Sequence, residues 1–313
     1  MELHGKRPLL SRAAHALSKD FRRHWFIYLM FLPVLAYYII FHYWPLYGAQ
    51  IAFRDYVPAK GVLGSRWVGL KHFQSFFSSY YFARLLRNTL LISLYGIVFG
   101  FPAPILFALL INELTNKRFK SFVQTCTYMP HFLSTIVVCG MIIDFTSSTG
   151  VVTKLLSLFG MPPKTLLLYP QYFRTVYIVS DIWQGVGWGS IIYLAALTNI
   201  DPTLYEAAQV DGAGRFRQAI HVTLPGIVPT IMVLLILRCG SIMNVGYEKI
   251  ILLYNDNTLE TADVISSFVY RRGLLERNYS YSSAVGLFNS TVNLIILVGA
   301  NQLSRRLDGS SLW

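Results

Sequence analysis

Few residues in this 313-residue chain are of a type and spacing that could do chemistry. General acid–base work needs two titratable groups in reach of one reacting atom. Asp181 stands in an apolar stretch with no second carboxylate near it in sequence, and His42 and His131 are isolated. Cys126, Cys139 and Cys239 are scattered through apolar segments without a CxxC spacing. They support neither a disulfide framework nor a zinc site, and read as small hydrophobes. No HExxH, GxSxG or GxxxxGK[ST] pattern occurs, so no catalytic residue, no metal ligand and no nucleotide cradle is assigned. What remains is polar chemistry in apolar surroundings. Asp181 and Arg238 fall at matching depth in two apolar stretches, and the expectation is an ion pair between them, or Arg238 facing a wet cavity. Asn289 and Asn293 are four apart and share one helical face.

Composition says what must position these groups. The chain is 54% hydrophobic and 13% charged, with a mean hydropathy of +0.46. Soluble domains carry about 25% charged residues. The deficit argues against an ordinary soluble enzyme and against a disordered chain. Net charge is +12, but the basic residues lie between long apolar runs rather than in one patch. They read as membrane-flanking charge, not as a nucleic-acid footprint.

A bilayer core needs about 20 apolar residues in helix. Six stretches qualify, at about 25–45, 88–112, 122–143, 175–198, 226–245 and 282–303. The first is too long for a cleaved signal and runs on into Trp44 and Tyr47, which suit an interfacial belt. The expectation is an all-α membrane protein with six spans and both ends inside. It has a basic cytoplasmic tail over 1–24, one membrane domain over 25–303, and a short cytoplasmic tail over 304–313. Lys and Arg are denser on the assigned inner side, although their raw number there does not exceed that outside. The stretch 70–87, with Phe73, Phe76, Phe77, Tyr80, Tyr81 and Leu85 at helical spacing, is expected to form one amphipathic helix on the outer face, lying in the interface or packed on the bundle. The charged segment 246–281 is expected outside, as a docking surface or a solvated loop.

The most informative connection is 199–225. Asp201 is an N-cap candidate and Pro202 suits the first helical position. Two turns through Glu206, Ala207 and Ala208 follow, then Asp211, Gly212 and Ala213, where Gly212 can stop the helix in the left-handed region. A second short helix carries Arg215 and Arg217, and Leu224–Pro225 leads into the fifth span. The result is an elbow at the cytoplasmic surface whose small residues let another protein's backbone come close.

This stretch resembles the EAA motif of the permease subunits of bacterial binding-protein-dependent ABC importers. Glu206-Ala207-Ala208, Gly212 and Leu224-Pro225 stand at the motif's spacing, with Val222 in place of Ile and Asp211-Gly212-Ala213 in the extended form. Ala219 departs from the Phe that many sugar permeases carry, which leaves the packing of the second short helix open. The stretches at 41–53, 67–73, 85–89, 128–134, 181–197 and 304–307 are similar to the carbohydrate-uptake class 1 permeases. Within these the likeness is greatest to the branch handling oligosaccharides and uronic-acid fragments such as alginate or pectin pieces. It covers about 20–313.

The resemblance implies a type I importer fold in a bacterial cytoplasmic membrane and a heterodimer with a second homologous permease. It implies a cytoplasmic ABC ATPase dimer that binds ATP and Mg, since this chain carries no cofactor of its own, and an extracytoplasmic solute-binding protein that delivers an oligosaccharide. By position, Glu206, Ala207, Ala208, Asp211, Gly212, Ala213, Leu224 and Pro225 would couple to the ATPase. Chemistry alone suggests Trp183, Gln184, Tyr193, Arg238, Asn244, Tyr247, Asn289 and Asn293 for the substrate path, because pyranose faces are apolar and their hydroxyls hydrogen-bond. Gly185, Gly187 and Gly189 are expected to form a helix-packing face. A permease for a non-sugar solute, a membrane-embedded enzyme and a passive channel stay open as alternatives.

Overall fold

Thirteen helical elements carry the argument, and why each starts and stops can be traced to particular residues. The computed structural model describes residues 9–307; the first eight residues of the basic tail, and 308–313 of the expected C-terminal tail, lie outside the described residues. In chain order the helices are α1 (Leu9–Tyr38), α2 (Lys71–Phe77), α3 (Tyr81–Tyr95), α4 (Pro102–Asn112), α5 (Lys117–Tyr128), α6 (Thr135–Phe145) and α7 (Pro170–Leu197). There follow α8 (Pro202–Val210), α9 (Arg215–Gln218), α10 (Leu224–Gly240), α11 (Tyr247–Leu253), α12 (Ile265–Tyr270) and α13 (Tyr279–Leu307). A two-stranded antiparallel ribbon, β1 (Arg54–Asp55) with β2 (Arg66–Trp67), closes the loop before α2. Phe53 stacks on Trp67 at 5.6 Å there, and the Arg54 guanidinium lies 5.2 Å from the same ring.

Among the described residues four helical segments are long and apolar enough to cross a membrane: Arg23–Phe53, Tyr81–Asn112, Arg215–Gly240 and Tyr279–Arg306. A fifth is a bent pair, Lys117–Phe132 and Thr135–Phe145. The fourth expected span coincides with α7, whose 28 residues would reach about 42 Å at 1.5 Å per residue. It is too polar to qualify by composition, since Asp181, Gln184, two tryptophans and three glycines dilute it. The chain is therefore a largely helical, multi-pass membrane protein.

Three of the spans contain a widened π turn just before a proline. Ile39–Tyr43 precedes Pro45, Gly96–Gly100 precedes Pro102, and Ala219–Thr223 precedes Pro225. Proline lacks an N–H and its ring strikes the carbonyl four residues back. A π turn displaces that carbonyl and lets the helix run on, as Phe101 N–H to Gly96 O at 2.9 Å shows.

The structure corrects three expectations. The third span is not a straight helix over 122–143: it bends by 105° between its halves. Pro130 ends α5 in a tight turn, Leu133 is extended, and the Ser134 hydroxyl caps α6 by accepting the Val137 N–H. The amphipathic helix expected over 70–87 is broken at Ser78–Tyr80, and its second part belongs to the second span. Phe76 is buried against Phe288 and Tyr281 of α13, whereas Tyr80 is exposed. Finally, 246–281 is not a solvated loop. Ile250, Leu253, Val264, Ile265 and Phe268 are buried in the core. Asp263 is fully buried there and accepts from Arg271 at 2.7 Å and from Ser267 at 2.8 Å. The cysteines also differ in surroundings: Cys139 is buried, Cys239 half-buried and Cys126 exposed.

The core lies in three clusters. Two sit around α11 and α12, one with Val138, Phe173, Tyr177 and Ile250, the other with Phe76, Leu85, Met243 and Phe268. The third, Ile105, Ala108, Tyr193, Leu197 and Ile227, joins α4, α7 and α10 at the end that carries α8. By contrast, no residue in the most apolar part of Arg23–Phe53 is buried within the chain.

Candidate functional site

Local chemistry builds the elbow. The Asp201 carboxylate accepts the Thr203 N–H at 2.9 Å and caps α8. That backbone N–H, helped by the Thr203 hydroxyl, holds the Asp201 carboxyl below the usual range. The cap is therefore at full strength above the ordinary aspartate range and is lost only as pH falls through the lowered value. At the other end Gly212 takes φ +76°, and the Ala213 N–H reaches back to Ala208 O at 2.8 Å. This six-to-one bond closes a glycine C-cap. Gln218 Nε2 donates to Ala213 O at 2.8 Å, which pins the second short helix to the first. The Tyr205 hydroxyl donates to the buried Thr223 hydroxyl at 3.1 Å. Gly226 sits so close to Ile200 that a Cβ there would lie 2.8 Å from Ile200 Cδ1. The elbow is thereby seated on the base of α10.

Of the residues expected to couple, Glu206, Ala207, Asp211, Gly212 and Pro225 are exposed. Ala208 and Ala213 are half-buried, and Leu224 packs against the third core cluster. Val210 (88% exposed) and Phe216 (77%) complete an apolar outer face. The sequence reading passed over both, although large apolar residues on so short an element, with no inward period to hide them, were the available signal.

A polar cavity of about 280 Å³ lies between α3, α7, α10 and α11, with Asp181, Gln184, Arg238, Asn244 and Lys249 in its wall. A second, more apolar cavity of about 440 Å³ shares Gly96, Asp181, Arg238 and Ser241 with the first and continues along α7 past Gly185 to Tyr193. The two adjoin along α7 and α10.

The structure sorts the expected path residues. Gln184, Arg238 and Asn244 line the polar cavity, and Tyr193 lines the apolar one. Trp183 instead lies in an apolar groove with Met141, Phe145 and Val179. Tyr247 stacks on Tyr270 at 5.2 Å, outside both cavities. Asn289 and Asn293 are buried behind the wall, both donating to Asn244 Oδ1, at 2.8 and 3.0 Å. Asn293 Oδ1 also accepts the Met243 N–H at 2.9 Å. The pair thus braces the chain where α10 has ended.

The Asp181–Arg238 ion pair does not form. Asp181 Oδ1 is 3.5 Å from Lys249 Nζ, a residue of the segment expected to be a docking surface or a solvated loop. Arg238 turns instead toward the second span, where its Nη2 would lie 3.1 Å from a Cβ on Gly96. Both side chains line one cavity, but the face of α7 that carries Asp181 meets α11 and not Arg238. Gly187 and Gly189 do form a packing face: a Cβ on Gly187 would lie 2.3 Å from Thr127 O, and one on Gly189 would lie 3.1 Å from Pro104. Gly185 has open space and lines the cavity. The bend beyond Thr127 is fastened to the same helix by His131, stacked on Trp188 at 4.6 Å.

With this geometry in hand, comparison with known proteins is decisive. Residues 100–309, which include α7, the elbow and α10, match the binding-protein-dependent transport system inner membrane components. The chain belongs to that family. This permease is 44% identical to the polygalacturonan/rhamnogalacturonan transport system permease protein YteP of Bacillus subtilis, over 92% of this chain and 90% of that one. It is equally similar, at 44%, to protein LplB of the same organism, over 93% and 92%. It also matches a chain of a bacterial ABC transporter involved in the import of the acidic polysaccharide alginate, with a TM-score of 0.86 and 47% identity, over 94% of this permease and 99% of that chain. A further crystal structure, of a bacterial alginate ABC transporter in complex with an alginate pentasaccharide-bound periplasmic protein, matches at 0.86 and 46%. Permeases of this kind are transport subunits and not themselves enzymes.

The brace behind the cavity gives a first test in this permease. Asn293→Leu keeps a side chain of similar size but leaves the buried Met243 N–H without its acceptor. The expected cost is about 1–3 kcal/mol. It should be visible as a lowered thermal midpoint of the purified protein.

Proposed function

We propose that this permease is the membrane-spanning subunit of an ATP-driven importer and forms part of the path for an acidic oligosaccharide. One observation supports the reading above the others. The elbow is the covalent link between α7 and α10, and both of these helices line the charged cavity. A push on the exposed face of α8 therefore reaches both walls. The similarity to permeases named for polygalacturonan and to chains of alginate importers supports a uronic-acid-containing substrate.

In this reading the chain crosses a bacterial cytoplasmic membrane six times with both ends inside, the bent α5–α6 pair and the polar α7 being the third and fourth crossings. It pairs with a second, homologous permease, and an extracytoplasmic solute-binding protein delivers the sugar. A cytoplasmic ABC ATPase dimer binds ATP and Mg and receives the elbow through Glu206, Ala207, Asp211 and Gly212. ATP hydrolysis belongs to that partner. The permease converts its closure into movement of α7 against α10.

The test is reconstitution of this permease with its partner permease, ATPase and binding protein in liposomes. Uronic-acid oligosaccharides are expected to stimulate ATP hydrolysis several-fold and neutral oligosaccharides are not. Stimulation by neutral sugars alone would overturn the acidic substrate class. No stimulation by any oligosaccharide would overturn the sugar reading and favour a non-sugar solute.

A further inference from the structure

Lys249 is held in a way that serving as a counter-ion does not explain. It lies on α11 with its side chain 7% exposed, at the wall of the polar cavity. Its Nζ is buried and makes no close hydrogen bond, only a long contact with Asp181. The carboxylate paired with it, Asp181, stands at 3.5 Å, whereas a charge-assisted N–H···O bond closes to about 2.7–2.9 Å. The Tyr177 ring, 5.2 Å away, offers the ammonium an aromatic face but no lone pair. Burying an ammonium is unfavourable unless its donors are satisfied. Lysine's four-carbon stem could let the head reach water, yet here it is held inside. Asp181, by contrast, is half-exposed on its cavity side.

Arg238 lines the same cavity and is the other cation among the described residues of its wall, seated where Gly96 leaves room for its guanidinium, and Glu248 is there as a second carboxylate beside Asp181. Two cations from separate elements thus face one small chamber, and one of them has unused donors. A neutral hydroxyl-bearing sugar would need neither charge. A carboxylate has two oxygens and can take both cations at once.

We propose, resting on the reading above, that Lys249 is the carboxylate-recognising residue of the path: a uronate group of the passing oligosaccharide supplies the acceptor that Lys249 Nζ lacks, with Arg238 as second donor, while Asp181 holds the ammonium in place in the empty cavity. The site takes the sugar carboxylate in passing. Asp181 competes for the same ammonium and so keeps binding weak enough for release.

The reconstituted four-component transporter tests this, with a uronic-acid oligosaccharide as substrate and co-purification of all subunits as the check on assembly. Lys249→Met is expected to lower substrate-stimulated ATP hydrolysis and uptake by at least about tenfold, the scale of a lost hydrogen bond to a charged group. Lys249→Arg, which keeps charge and donors, is expected to retain a substantial part. The deciding variant is Lys249→Met with Asp181→Asn, which removes both members of the ion pair together and so also serves if the single variant fails to assemble. If Lys249 reads the substrate, the double variant stays impaired. Recovery in the double variant would overturn the proposal and assign Lys249 to its ion pair alone, as would full transport by Lys249→Met. If the wild-type complex itself does not respond to uronic-acid oligosaccharides, it is the functional reading that fails, not this assignment within it.

Discussion

Gly212→Pro is expected to abolish transport while leaving the permease in the membrane and bound to its partner permease. The residue sits at φ +76° and its N–H donates to Gln209 O at 3.0 Å. Proline can supply neither, since its ring fixes φ near −65° and removes the donor. The expected cost to the elbow is about 3 kcal/mol or more, by analogy with proline inside a helix. At about 1.4 kcal/mol per tenfold, that is about a hundredfold shift from the formed to the melted elbow. A melted elbow can no longer pass a push from α8 to α7 and α10. Gly212→Asn separates shape from contact. Asparagine enters the left-handed region with little penalty, and nothing within the chain would touch its Cβ. It should therefore keep much of the stimulated ATPase activity that proline destroys. Equal loss in both variants would mean that close approach of the ATPase, rather than the turn, is what Gly212 provides.

The second large effect lies in folding. Gly187→Ala adds a single methyl group, yet that carbon would sit 2.3 Å from the Thr127 carbonyl oxygen and 2.5 Å from its carbon. Backbone cannot swing aside as a flexible side chain can, so α7 must move off α5. Overpacking of this kind costs about 1–3 kcal/mol or more. The thermal midpoint in detergent should fall by about 3–10 °C for a chain of this size. Gly185→Ala, on the same helix but with open space at its Cβ, should leave the midpoint unchanged. A fall of equal size in both would show that helix α7 resists alanine for some reason other than contact with Thr127. Because the same contact precedes the 105° bend, Gly187→Ala should also loosen the His131–Trp188 stack, which Trp fluorescence can follow.

What the sequence determined and what it left open divide along one physical line. Anything set by neighbours in the chain was legible. The Asp201 cap and the Gly212 stop depend on bonds spanning five residues or fewer, so the turns of 199–225 read almost as they fold, while its seat on α10 rests on the longer Tyr205–Thr223 bond. The membrane class followed from composition, because a bilayer demands apolar length whatever the packing. The chemistry of Gly187 and Gly189 was legible as smallness, though not which backbone would use it.

The tertiary structure decided the rest. The sequence offered Asp181 only Arg238 as a partner, and it is the facing of α7 against α11 that gives it Lys249 instead. Nothing local marked Lys249 as buried. It stands among Glu248, Asp256 and Glu260, and α11 and α12 are seven and six residues long. Helices that short give too few turns for an apolar period to stand out from a charged loop. The same limit hid the fold of 246–281. Pro130 and Ser134 stand at the break in the third span, yet a proline also fits a kinked helix that runs on, and the 105° bend is seen only in the tertiary structure, where Thr127 lies against Gly187. Where one helix must choose among several faces, long-range packing makes the choice, and a single sequence does not display it.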